Sequence, residues 1–115
     1  MKSATALAKV RKLCLALPEA FEREAWKAPT FRVKKGVFVM FVNNHHGDGR
    51  LAIWCNAPEG AQESLVEADP DRFFRPPYVG PGGWLGVRLD RGLEWSEVGA
   101  IIEQAYRTTA ARRRK

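Results

Sequence analysis

A chain of 115 residues, 45% hydrophobic and 28% charged, has the size and composition of one folded unit, because two halves of this length would each be too small to bury a core. Its longest unbroken apolar run is the six residues Val37 to Val42, far short of the roughly 20 that cross a bilayer. The net charge of +6 suggests a polyanionic partner, yet Arg112, Arg113, Arg114 and Lys115 carry four of those charges, so a mildly basic body with a basic tail is expected.

Leu7, Val10, Cys14 and Leu17 recur at helical spacing with Lys9, Arg11 and Lys12 outward, which predicts a first helix over 3–17 stopped by Pro18. The same charges interrupt any leader-like apolar stretch, and a cytoplasmic location without membrane contact is expected. Residues 21–27 read as an extended edge segment with Glu22 and Glu24 on one face and Arg23 on the other. Pro29 breaks that run, and Thr30 to Lys34 alternates as a strand with Phe31 and Val33 on one side and Arg32 and Lys34 on the other. Lys35-Gly36 marks a turn into Val37 to Val42, a central strand covered on at least one face. Residues 43–49, rich in Asn, Gly and Asp, form a hairpin loop into a strand over Arg50 to Cys55.

Pro58 suits the first turn of a second helix over 58–68, with Ala61, Leu65 and Ala68 as its apolar stripe. The Pro- and Gly-rich stretch 70–83 is expected to be an ordered loop with a short strand, and Trp84 to Leu89 alternates as a last strand. Val98, Ile101, Ile102 and Ala105 mark a closing helix, and Thr108 to Lys115 reads as its frayed end passing into a disordered tail. The order α-β-β-β-β-α-β-α is that of an α+β layer, with one domain over 1–111 and a basic tail over 112–115. Cys14 and Cys55 lack the spacing of a metal or redox motif and are read as reduced, buried thiols.

Within that order, Leu15-Ala-Leu-Pro-Glu19, Trp26 with Pro29-Thr-Phe31-Arg-Val33, Pro76-Pro-Tyr78-Val-Gly80, Gly83-Trp84 and Leu89-Asp90 resemble the MmcQ/YjbR family of small bacterial proteins, the DUF419 type. The similarity runs from about Ala6 to Tyr106, as many weak matches in the right order. It implies a CyaY-like two-layer fold, an antiparallel sheet with two helices packed on one face and a further helix between strands. It also implies DNA binding by a double-wing arrangement of the sheet and its loops, without a defined reaction.

The residues themselves offer two surfaces. Arg32, Lys34, Lys35, Arg50 and Arg88 would place cations on one sheet face to meet phosphates, with the loop carrying His45 as a wing tip and Arg112, Arg113 and Arg114 as a phosphate-binding arm. The bland alternatives are a solvated sheet face and a solubilising terminus. Trp26, Tyr78 and Trp84, beside Pro and Gly turns, would instead line a pocket for a small planar ligand or a protein partner, whereas Trp54 reads as core. His45, His46 and Asp48 lack a fourth ligand nearby, and Arg23 and Lys27 interrupt the carboxylates Glu19, Glu22 and Glu24, so no metal is assigned. No serine lies in a nucleophile-elbow context, and the glycines at 80–83 lack the Lys-Ser/Thr of a phosphate-cradling loop. The expectation is a non-catalytic protein without cofactor, with a monomer favoured.

Overall fold

Three helices and six strands occupy residues 2–111, the part of the chain that the computed structural model describes. They are α1 (Ser3–Leu15), β1 (Phe21–Ala25), β2 (Ala28–Val33), β3 (Gly36–Asn43), β4 (Leu51–Cys55), α2 (Ala61–Ala68), β5 (Phe73–Phe74), β6 (Leu85–Arg88) and α3 (Trp95–Ala110). The strands form one antiparallel sheet in the order β1-β2-β3-β4-β6-β5. This is the expected α+β architecture. Among the described residues no helix is long and apolar enough to cross a membrane.

Alternation divides the sheet residues between two faces. Phe31 and Val33 of β2, Val39 and Phe41 of β3, Ile53 and Cys55 of β4, and Leu85 and Val87 of β6 bury against Val10 and Cys14 of α1 and Val98, Ile102 and Ala105 of α3. Each large aliphatic side chain buried here stabilises the fold by roughly 1.5–3 kcal/mol. Tyr106 joins the helices, meeting Phe38 edge-on at 5.6 Å while its hydroxyl donates to the Pro18 carbonyl at 2.8 Å. Cys14 and Cys55 are both buried free thiols, and Cys55 Sγ donates to the Leu85 carbonyl at 3.6 Å. Loss of hydration in this core pushes both thiols' pKa up, Cys55 to about 12.

Several local expectations give way to tertiary context. Pro29 does not break the chain but lies inside β2, ahead of Thr30, where the pairing with β3 starts, so its missing N–H costs that ladder nothing. Lys34 falls in the turn beyond β2 rather than on the strand, and Gly36 already belongs to β3. Helix α2 starts three residues after Pro58, behind Gly60 in a left-handed conformation, and turns Gln62, Leu65 and Val66 inward in place of the Ala61–Leu65–Ala68 stripe. The end of α3 does not fray at Thr108: Thr109 is buried, and its hydroxyl accepts a hydrogen bond from Asn56 at 2.8 Å. Arg112, Arg113, Arg114 and Lys115 lie outside the described residues.

One irregularity organises the opposite face. Phe31 pairs with Val39 but Arg32 pairs with Val37, which leaves Phe38 as the extra residue of a β-bulge. Phe38 and Val39 therefore both reach the helix-side core, and Val37 is handed to the other face. There Met40, Val42, Ala52, Trp54 and Phe74 form a second buried cluster, with Val37, Val79 and Trp84 packed on it. Among the described residues no α-helix contributes to this cluster; it is roofed in part by the loop between β5 and β6.

Candidate functional site

The second face holds a cavity of about 830 Å³, within the size range of small-molecule sites. Met40 and Val42 of β3 and Trp54 of β4 supply its floor. Its walls come from the β1–β2 turn (Trp26, Lys27), the β3–β4 loop (His45, His46) and the β5–β6 loop (Tyr78, Val79, Trp84). Trp26 and Tyr78 stand at the rim, 73% and 72% exposed, and adjoining exposed apolar surface of this kind marks interaction sites.

These walls are held in costly backbone geometry. Six non-glycine residues among those described have left-handed φ, and four of them, Trp26 (53°), Lys27 (62°), His46 (48°) and Tyr78 (63°), line the cavity. Each such residue costs roughly 1–2 kcal/mol over an ordinary conformation, and strain of this kind gathers at ligand clamps. The Trp26-Lys27 pair takes two successive positive φ values across a two-residue hairpin, a geometry that usually selects Asn-Gly. The β5–β6 loop is held from below by the buried Gln62, whose Nε2 donates to the carbonyls of Gly80 (2.9 Å) and Trp84.

Inside, the rings form a connected cluster. The His45 ring lies 4.1 Å from His46, 4.9 Å from Trp54 and 5.8 Å from Tyr78, all edge-on. Tyr78 Oη and His46 Nε2 share a hydrogen bond at 3.2 Å across the mouth. Among the described residues, two buried side-chain polar atoms find no hydrogen-bond partner, His45 Nε2 and Trp54 Nε1, and both belong to this cavity. Buried polar atoms are nearly always satisfied, which sets these two apart, and both are closed off by the surrounding rings as the side chains stand.

The cationic residues are distributed less favourably for phosphates. Arg32, Arg50 and Arg88 do share the face that carries the cavity: Arg32 lies opposite in sense to Phe31 and Val33, Arg50 covers the Phe74 ring at 4.1 Å, and Arg88 pairs with Ala52. All three are already engaged. Arg88 makes two 3.0 Å hydrogen bonds to Asp90, Arg50 stands 3.9 Å from Asp48, and Arg32 donates to Thr30 and lies 5.9 Å from the Trp26 ring centre. Burial pushes the Asp90 carboxyl up, but the hydrogen bond and charge of Arg88, with backbone N–H groups of Asp90 and Leu51, outweigh it and hold the group below the usual carboxylate range. Lys34 and Lys35 are exposed in the β2–β3 turn. The His45 ring turns inward onto Trp54 rather than outward from the loop, an arrangement that buries apolar area the loop would otherwise expose.

Trp26, Tyr78 and Trp84 are thus brought together as the sequence suggested, and Trp54 is buried at the floor beneath them. Lys27, Val37, Met40, Val42, His46 and Val79 were not singled out for the pocket. One signal for three of them was present: the run Val37 to Val42 is apolar at both parities, and a strand facing helices on one side needs only one.

Comparisons with known proteins agree with this architecture. The crystal structure of the Deinococcus radiodurans protein DR2400, which carries a DUF419 domain, superimposes with a TM-score of 0.78 at 17% identity, covering 92% of this chain and 79% of that one. At this identity the likeness is one of fold. No curated protein matches. A family profile described as YjbR matches residues 15–108, most of the chain. The chain belongs to the YjbR family.

Proposed function

We propose that the protein is a non-catalytic binding module that takes a small planar ligand into the aromatic cavity on the face of the sheet opposite α1 and α3. The observation that carries this reading is the cavity walled by Trp26, Tyr78 and Trp84, at whose rim Trp26 and Tyr78 are held exposed in left-handed backbone. Planar rings gain stacking area on such walls, and the unpartnered His45 Nε2 and Trp54 Nε1 beneath them give orientation once the rings around them shift. Two buried thiols without a disulfide suit a reducing, cytoplasmic setting. The test is a titration of neutral and charged planar aromatic compounds followed by intrinsic Trp fluorescence. Saturable binding is expected, weakened about tenfold or more by Trp26→Ala or Trp84→Ala; Trp26 is exposed, so its removal leaves the core intact. No saturable change with any compound would defeat the reading.

A second reading, modest DNA binding through the same face and the tail, is favoured by one observation, the shared orientation of Arg32, Arg50 and Arg88. It asks those arginines to exchange Asp90, Asp48 and Trp26 for phosphates. Labelled duplex DNA titrated at two salt concentrations, with the full chain and with a chain ending at Ala111, separates the readings. DNA affinity through phosphates falls steeply with salt, whereas pocket binding changes little and depends on Trp84. Absence of binding by both chains at low salt would remove the DNA reading.

A further inference from the structure

The cavity's charge and its unpartnered atoms narrow the chemistry of its occupant, an inference that rests on the pocket reading above. Among the described residues no Asp or Glu lines the cavity, while Lys27 stands in its wall and the Arg32 guanidinium lies 5.9 Å from the Trp26 ring centre at the same end. Aromatic walls can hold a cation, but neighbouring positive charge opposes one and favours an anion instead. At the floor, the Trp54 indole N–H can only donate; it is without a partner and closed off by its neighbours, so an acceptor on a ligand reaches it once the His45 and Tyr78 rings packed against Trp54 shift. His45 Nε2, closed off in the same way, offers a second contact on the same movement, donating or accepting according to tautomer. The rings of Trp26, Tyr78 and Trp84 provide faces on which a heterocycle stacks.

We propose that the cavity recognises a nucleotide-type ligand: a heteroaromatic base seated among the aromatic rings, with a carbonyl or ring nitrogen accepting from Trp54 Nε1 and a phosphate directed at Lys27 and Arg32. A free mononucleotide and one unpaired base of a single strand both carry this chemistry.

The full chain is titrated with nucleoside monophosphates, the matching nucleosides, a short single-stranded oligonucleotide and carbocyclic aromatics such as naphthalene, by calorimetry and Trp fluorescence. A monophosphate is expected to bind about tenfold more tightly than its nucleoside, and that gap closes when Lys27→Ala and Arg32→Ala are combined, substitutions that lie outside both buried clusters. Trp54→Phe, which keeps a ring but removes the N–H, weakens the bases about fivefold and leaves naphthalene unchanged. Preference for the oligonucleotide or for the mononucleotide assigns the source, and the proposed chemistry stands in either case. Equal affinity for nucleoside and monophosphate, or binding of naphthalene but of no base, overturns the proposal and leaves the pocket reading intact. Failure of every aromatic compound to bind overturns both.

Discussion

Gly86 and Lys27 show how single positions set the pocket. A Cβ at Gly86 would lie 2.4 Å from the Phe74 ring, which sits directly over the glycine and under the Arg50 guanidinium. Gly86→Ala therefore forces Phe74 to move, and a loss of about 1–3 kcal/mol is expected in urea denaturation. Lys27 runs the other way. Its φ of 62° suits glycine, so Lys27→Gly is expected to raise stability by about 1 kcal/mol while removing a cation from the cavity wall. A higher denaturation midpoint together with weaker binding of anionic aromatics would show strain retained for recognition; unchanged stability would argue against it. At this scale the sequence pointed well to Trp26, Tyr78 and Trp84, because turn residues flank them. It could not give the ring above Gly86 or the inward turn of His45, since both depend on chain segments far apart in sequence.

Elements with a periodic apolar face were legible. Val10 and Cys14 of α1, and Val98, Ile102 and Ala105 of α3, are buried as their spacing predicts, because a helix on a sheet needs only its own stripe. The start of α2, the passage of β2 through Pro29 and the bulge at Phe38 were not, since each is decided by a partner strand or by a left-handed glycine. Between elements, Arg11 of α1 holds Glu22 of β1 through hydrogen bonds of 2.6 and 2.8 Å. That hydrogen bond keeps the Glu22 carboxyl below its ordinary range despite partial burial. A depressed folded-state pKa contributes stability that is complete above the unfolded value and fades as pH falls through the folded one. The pair is partly exposed, so about 0.5 kcal/mol is expected. Glu22→Gln should thus lower the midpoint of thermal unfolding near pH 7, with the difference from wild type vanishing well below about pH 4; a difference independent of pH would contradict this.

The whole molecule is a sheet with two unlike sides, one closed by α1 and α3 and the other left to loops that enclose an aromatic cavity. The two-layer order could be read from periodicity and from the family resemblance, but the unequal covering could not, because alternation along β4 sorts Ile53 from Trp54 without saying what lies above either. Charge belongs to this scale too. Without its last four residues the chain keeps fifteen basic against thirteen acidic side chains, so a chain ending at Ala111 is expected to show a much shallower salt dependence in any polyanion binding than the full chain. Equal slopes in the two titrations would place that affinity in the body. The two thiols of the helix-side core bring one more consequence. Burial and raised pKa keep Cys14 and Cys55 from alkylating reagents while the fold is closed. Each then acts as an internal clock, Cys14 timing the departure of α1 and Cys55 the parting of the central strands. Under slow alkylation, modification of Cys14 ahead of Cys55 would mean that the helix layer lifts before the sheet comes apart.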